Sequence, residues 1–108
     1  MVKEISPKNK AEFLAAIKTS KRFAVVDFFA SWCGPCKQLK PKMEEIAGRT
    51  PGVDFFAVDV DKSSALANEL GIRSMPTIIF YVDGEEKGKV IGLDLMGIEK
   101  NIYQIQKM

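Results

Sequence analysis

Phe23-Ala24-Val25-Val26-Asp27-Phe28-Phe29-Ala30 is apolar on both alternating faces except at Asp27, and a strand with two apolar faces belongs in a sheet covered by helices on both sides. That run sets the architecture, and the rest of the chain alternates strand and helix patterns around it. Val2 to Ile5 alternates apolar and charged residues, as a half-buried strand does. Ser6-Pro7 reads as a helix start, with serine as N-cap and proline at the first helical position. Phe13, Leu14 and Ile17 form that helix's buried stripe, which gives out in the polar run Thr19 to Arg22.

Leu39, Met43, Ile46 and Ala47 fall at i, i+4, i+7 and i+8, so Cys33 to Gly48 is a strand-to-helix turn followed by an amphipathic helix. Pro41 lies inside it and is predicted to kink it. Pro51-Gly52 is a turn, Val53 to Val60 a strand, and Asp61 to Leu70 a short helix with Leu66, Ala67 and Leu70 inward and Gly71 terminating it. Thr77 to Val82 is a strand, Asp83-Gly84 a hairpin turn and Lys87 to Gly92 the antiparallel return. Leu95, Ile98, Ile102 and Ile105 place one apolar stripe on a last helix. A βαβαβα order demands right-handed crossovers and a parallel core, to which the hairpin adds antiparallel strands. The expected fold class is α/β, a mixed five-stranded sheet with four flanking helices in one domain over residues 1–108.

A chain of 108 residues buries roughly two thirds of its unfolded surface, enough for a real core. With 46% hydrophobic and 28% charged residues, it is too apolar for intrinsic disorder. Lys+Arg 16 against Asp+Glu 14, scattered along the chain, offers no phosphate-tracking surface, so nucleic acid is not an expected partner. No apolar run is long enough to span a bilayer, and Met1 to Pro7 lacks the apolar core of a secretory leader. A soluble cytoplasmic protein is expected.

Both cysteines lie in Trp32-Cys33-Gly34-Pro35-Cys36, where the central strand meets the amphipathic helix. Cys33 is placed at the helix N-terminus, where free N–H groups and the macrodipole favour an anion. A thiolate there is the species that attacks a disulfide. Cys36, one helical turn on, is within reach to resolve the mixed disulfide. Lys37, Lys40 and Lys42 read as a solvated helix face. Zinc needs four ligands, and with no histidine and no third cysteine it is disfavoured, so no metal is expected. A purely structural disulfide would close too small a loop to stabilise much. Two inert buried thiols remain open for any CxxC taken alone.

Asp27 sits among apolar neighbours whichever way its strand faces. An unpaired charge there is costly and its pKa is expected to rise, which suits proton exchange near neutral pH. The competing reading is an aspartate at a strand end bonded to backbone or water.

Trp-Cys-Gly-Pro-Cys-Lys after Val-Val-Asp-Phe-Phe-Ala, together with Pro41, Met75-Pro76-Thr77, Asp83-Gly84 and Gly92, resembles the thioredoxin family across nearly the whole chain. The resemblance implies the thioredoxin fold and a monomeric protein-disulfide reductase without bound cofactor, in which Cys33 attacks, Cys36 resolves and Asp27 assists deprotonation of Cys36. It implies electrons from NADPH through a thioredoxin reductase, and roles in electron transport and cell redox homeostasis. Peroxiredoxins, ribonucleotide reductase and methionine sulfoxide reductases are the implied protein partners. It makes Pro76 cis, with Gly34 and Pro35 shaping the active-site loop and Trp32, Met75, Pro76 and Gly92 forming a mostly apolar substrate rim. For Trp32 and Met75 core packing competes with the rim. Ala57 stands where many members carry a lysine near Asp27, and Phe29 where many carry a second tryptophan. Two alternatives are a secretory oxidase or isomerase, whose members usually have histidine at the Pro35 position, and a non-catalytic binding or assembly subunit.

Overall fold

The computed structural model describes residues 1–18 and 21–108. Thr19 and Ser20, which begin the polar run expected to close the first helix, lie outside the described residues. Strands β1 (Val2–Ile5), β2 (Phe23–Phe29), β3 (Val53–Asp59), β4 (Thr77–Val82) and β5 (Glu85–Ile91) alternate with helices α1 (Lys10–Ile17), α2 (Gly34–Gly48), α3 (Ser64–Leu70) and α4 (Leu95–Ile105). The strands form one sheet in the order β1-β3-β2-β4-β5. Strands β1, β3 and β2 run parallel, while β4 is antiparallel to β2 and β5 to β4. This is the expected mixed five-stranded sheet with four helices.

The apolar run of β2 occupies the sheet's centre because both its faces are covered. Val26 and Phe28 pack with Phe13, Ile17 and Leu66 of α1 and α3. Val25 packs on the other side with Leu39 and Met43 of α2 and Ile98 and Ile102 of α4. Fully burying a side chain of this size contributes about 1.5–3 kcal/mol, so reversing the strand's facing would forfeit both layers. Asp27 is held between Ala57 of β3 and Ile78 of β4. The turn after β2 then delivers the cysteines directly into α2, which runs unbroken through Pro41.

Several boundaries differ from the sequence expectations, and β3 already closes at Asp59 rather than Val60. Helix α1 starts at Lys10 with Asn9 as N-cap, not at Ser6-Pro7. The Asn9 Oδ1 accepts from the Glu12 N–H at 2.9 Å while Glu12 Oε1 accepts from the Lys8 N–H at 3.1 Å. Two otherwise unpaired N–H groups are thereby satisfied in a reciprocal cap. Ser6 and Pro7 belong to the link, with Pro7 buried. Helix α3 begins at Ser64 rather than Asp61, because the Asp61 N–H is taken by Asp59 Oδ1 at 2.9 Å, which holds 61–63 in a turn. Leu66 and Ala67 are buried as expected, whereas Leu70 is only half-buried against the core.

In the hairpin, Asp83 and Gly84 both have positive φ, 52° and 81°, the backbone that a two-residue type I′ loop requires. Pairing therefore resumes at once, Val82 against Glu85. Strand β5 consequently starts two residues before the expected Lys87 and ends at Ile91.

Candidate active site

Cys33 is the N-cap of α2, with extended backbone (φ −90°, ψ 115°). Its Sγ accepts the Cys36 N–H at 3.2 Å. The N-terminal turn of the helix thus directs a free donor, and the positive end of its dipole, at this one sulfur. Gly34 and Pro35 form the start of the helix, where proline sacrifices no intrahelical bond. Cys33 and Cys36 are joined in a disulfide with their Cα atoms 5.3 Å apart, and both residues are buried. That pairing removes the inert-thiol reading.

Residues distant in sequence complete the surroundings. Cys33 Sγ lies 3.5 Å from the carbonyl oxygen of Met75, and the Met75-Pro76 peptide is cis, as the resemblance implied. The Gly92 N–H donates to the Pro76 carbonyl at 2.9 Å, and Thr77 pairs with Ile91 across β4 and β5. Met75, Pro76 and Gly92 are thus brought together beside Cys33. Their accessibility differs: Pro76 is buried, while Met75 and Gly92 are half-buried, Met75 packing in part on the core.

Trp32 is 66% exposed and is not a core residue. Its indole N–H donates to Asp61 Oδ2 at 3.1 Å. Asp61 was missed from the sequence, where it read as the start of a helix and nothing local tied it to Trp32. Exposed Ile91 and Leu93, the chain neighbours of Gly92, also enlarge the apolar surface there. For Ile91 a signal existed, since period-two alternation with the buried Val90 turns it outward.

Asp27 is 5% exposed in the middle of β2, and its Oδ1 has no hydrogen-bond partner among the described residues. Asp27 lies within β2, paired with Ala57 on one side and Ile78 on the other, and no backbone group of the described residues reaches this oxygen. Burial pushes its carboxyl up to about 7, since desolvation disfavours the charged form. Beside it lies a cavity of about 250 Å³ lined by Asp27, Phe29, Cys36, Lys40 and Ala57 among others. The acid and the second cysteine therefore face one small, mostly apolar space. Among the described residues no group of three or more His, Cys, Asp or Glu converges, and no helix is long and apolar enough to cross a membrane.

A cysteine pair that can pass between dithiol and disulfide, with one sulfur favoured as an anion and the other beside a buried acid, is built to exchange with a second disulfide. The fold and this site define a thiol-disulfide oxidoreductase. The Thioredoxin family model matches residues 4–104. Thioredoxin-2 of Saccharomyces cerevisiae is 39% identical over 95 residues, 88% of this chain and 91% of that protein. A solved thioredoxin from Nicotiana alata superposes with a TM-score of 0.86 at 34% identity, covering 95% of this chain and 90% of that one. A solved chain from work on the thiol resolving mechanism of a yeast mitochondrial 1-Cys peroxiredoxin, via glutathione and thioredoxin systems, gives 0.85 at 35% identity over 95% and 94%. The chain belongs to the thioredoxin family. Its activity is reduction of protein disulfides through the reversible Cys33/Cys36 cycle, and the reading as a non-catalytic binding subunit is not favoured.

Proposed function

We propose that Cys33 is the attacking thiolate, Cys36 the resolving thiol and Asp27 the group that takes the Cys36 proton. In the first step Cys33 S⁻ bonds to one sulfur of a partner disulfide, and the other partner sulfur leaves as a thiolate. In the second, Cys36 gives its proton to the Asp27 carboxylate and attacks Cys33. The mixed disulfide breaks, the partner leaves with both sulfurs reduced, and Cys33–Cys36 forms. The observation that carries this assignment is the asymmetry of the pair: Cys33 Sγ holds the α2 N-terminal N–H, while Cys36 lines the Asp27 cavity.

Trp32, Met75, Pro76 and Gly92 hold an extended partner segment in this reading. The Met75 backbone next to Cys33 pairs with it as an added strand would. Two cysteines used for redox chemistry suit a reducing compartment, and we place the protein in the cytoplasm as an electron-transport protein re-reduced by NADPH through a thioredoxin reductase. Peroxiredoxins, ribonucleotide reductase and methionine sulfoxide reductases are the proposed partners. The related chain studied with a 1-Cys peroxiredoxin supports the first of these.

An insulin-reduction assay coupled to NADPH and a thioredoxin reductase tests the reading. Turnover with the wild type, none with Cys33→Ser, and a trapped mixed disulfide with Cys36→Ser are expected. Undiminished turnover of Cys33→Ser would overturn it.

A further inference from the structure

The Asp27 cavity raises a question of charge that the catalytic reading leaves open. Loss of the Asp27 proton puts an anion on a buried oxygen with no partner among the described residues, a costly state unless a cation reaches it. The neighbours of Asp27 in the sheet supply none, since they are Ala57 and Ile78. The other charged residues lining the cavity are Glu4 from β1 and Lys37, Lys40 and Glu44 from α2.

Both acids are occupied elsewhere. Glu4 is paired with Lys62 at 3.9 Å, and Glu44 Oε1 accepts the Val2 N–H at 3.0 Å. The two lysines are exposed and form no ion pair among the described residues. They are not equivalent. Cys36, Lys40, Met43 and Glu44 fall at i, i+4, i+7 and i+8 of α2, one face of the helix, and all four line the cavity. Lys40 sits near the middle of that stripe, whereas Lys37, which also lines the cavity, stands at its edge beside Glu44.

We propose that Lys40 is a positioning residue for the resolving step: its ammonium closes over the cavity mouth as Asp27 ionises, and it keeps the carboxylate available to take the Cys36 proton. It does from the helix side what a cationic side chain at position 57 would do from the sheet. The proposal rests on Asp27 as the proton acceptor, and the experiment separates the two.

Reduced protein is mixed with 5,5′-dithiobis(2-nitrobenzoate) in a stopped-flow instrument. Cys33 attack releases the first thionitrobenzoate anion, and Cys36 attack on the resulting mixed disulfide releases the second. In parallel, the Asp27 carboxyl carbon is titrated by NMR. Lys40→Gln is expected to slow the second release about 3- to 10-fold at pH 7 and to move the Asp27 midpoint up by about half a pH unit or more. The first release stays within about twofold, because Cys33 is governed by the helix terminus. Lys40→Arg keeps wild-type behaviour, Lys37→Gln leaves both readouts in place, and adding Ala57→Lys to Lys40→Gln restores them.

An unchanged midpoint and second phase in Lys40→Gln, or equal changes in Lys37→Gln, overturns the role of Lys40. Asp27→Asn reports on the underlying assignment. A slowed second phase there, with Lys40→Gln normal, removes Lys40 alone. A normal second phase in Asp27→Asn removes the acceptor and the proposal with it.

Discussion

The Trp32 indole N–H donates to Asp61 Oδ2 across 3.1 Å, joining the residue before Cys33 to the turn that follows β3. An exposed tryptophan that is free to rotate would lose entropy each time a partner orders it, and this bond places the ring in advance. Asp61→Ala is therefore expected to lower kcat/KM for protein disulfides about 2- to 5-fold, the scale of one partly solvated hydrogen bond. Asp61→Asn keeps an acceptor and should stay near wild type. Steady-state kinetics of both variants with insulin checks this, and because Trp32 is the sole tryptophan, its emission reports the loosened ring directly.

Asp27 makes stability depend on pH in a defined sense. Its carboxyl titrates near 3.8 when exposed and at about 7 when buried in the fold. The native state thus holds a proton that the unfolded chain has already lost. Stability falls as pH rises from about 4 to about 7 and is level beyond. The full penalty is of order a few kcal/mol. Asp27→Asn carries no such titration. Urea unfolding of the oxidised protein at pH 5 and pH 8 should show wild type losing stability relative to Asp27→Asn at the higher pH. Parallel behaviour of the two would contradict a buried, proton-binding Asp27.

Gly92 has φ of 93°, and its N–H bonds to the Pro76 carbonyl. An added Cβ would meet no atom within 4 Å, so the cost of Gly92→Ala is conformational, about 1 kcal/mol. That corresponds to a Tm lower by roughly 4–8 °C. Thermal unfolding measures it. If Gly92 belongs to the proposed substrate rim, insulin reduction by the same variant should also fall.

The first helix tests where its cap lies. Asn9→Ala is expected to cost about 1 kcal/mol, and Ser6→Ala to stay within about 0.5 kcal/mol. Urea midpoints for the two variants discriminate the caps. The reverse order would return the helix start to Ser6-Pro7.

Much of the molecule was legible because it is written in short-range pattern. The two apolar faces of Phe23 to Ala30 dictated a central strand, and the i, i+4, i+7 stripe after it dictated a covering helix. The junction between them placed Cys33 at a helix N-terminus and Cys36 one turn on, as the structure has them. Burial of Asp27 followed from its neighbours in the strand. The first helix boundary was misjudged because Ser6-Pro7 and Asn9 to Glu12 are both plausible starts locally. The reciprocal bonds among Lys8, Asn9 and Glu12 decide between them.

Sequence by itself determined the sheet-and-helix order, the reacting pair and the buried acid, since periodicity and spacing act over a few residues. Tertiary structure alone decided what surrounds them. Met75 reaches Cys33 from 42 positions away and Asp61 reaches Trp32 from 29. Ala57, Glu4 and Lys40 meet around Asp27 only because three strands and a helix converge there. Such contacts are set by strand register and helix docking, which maximise burial over the whole core and leave no mark in any one stretch of chain.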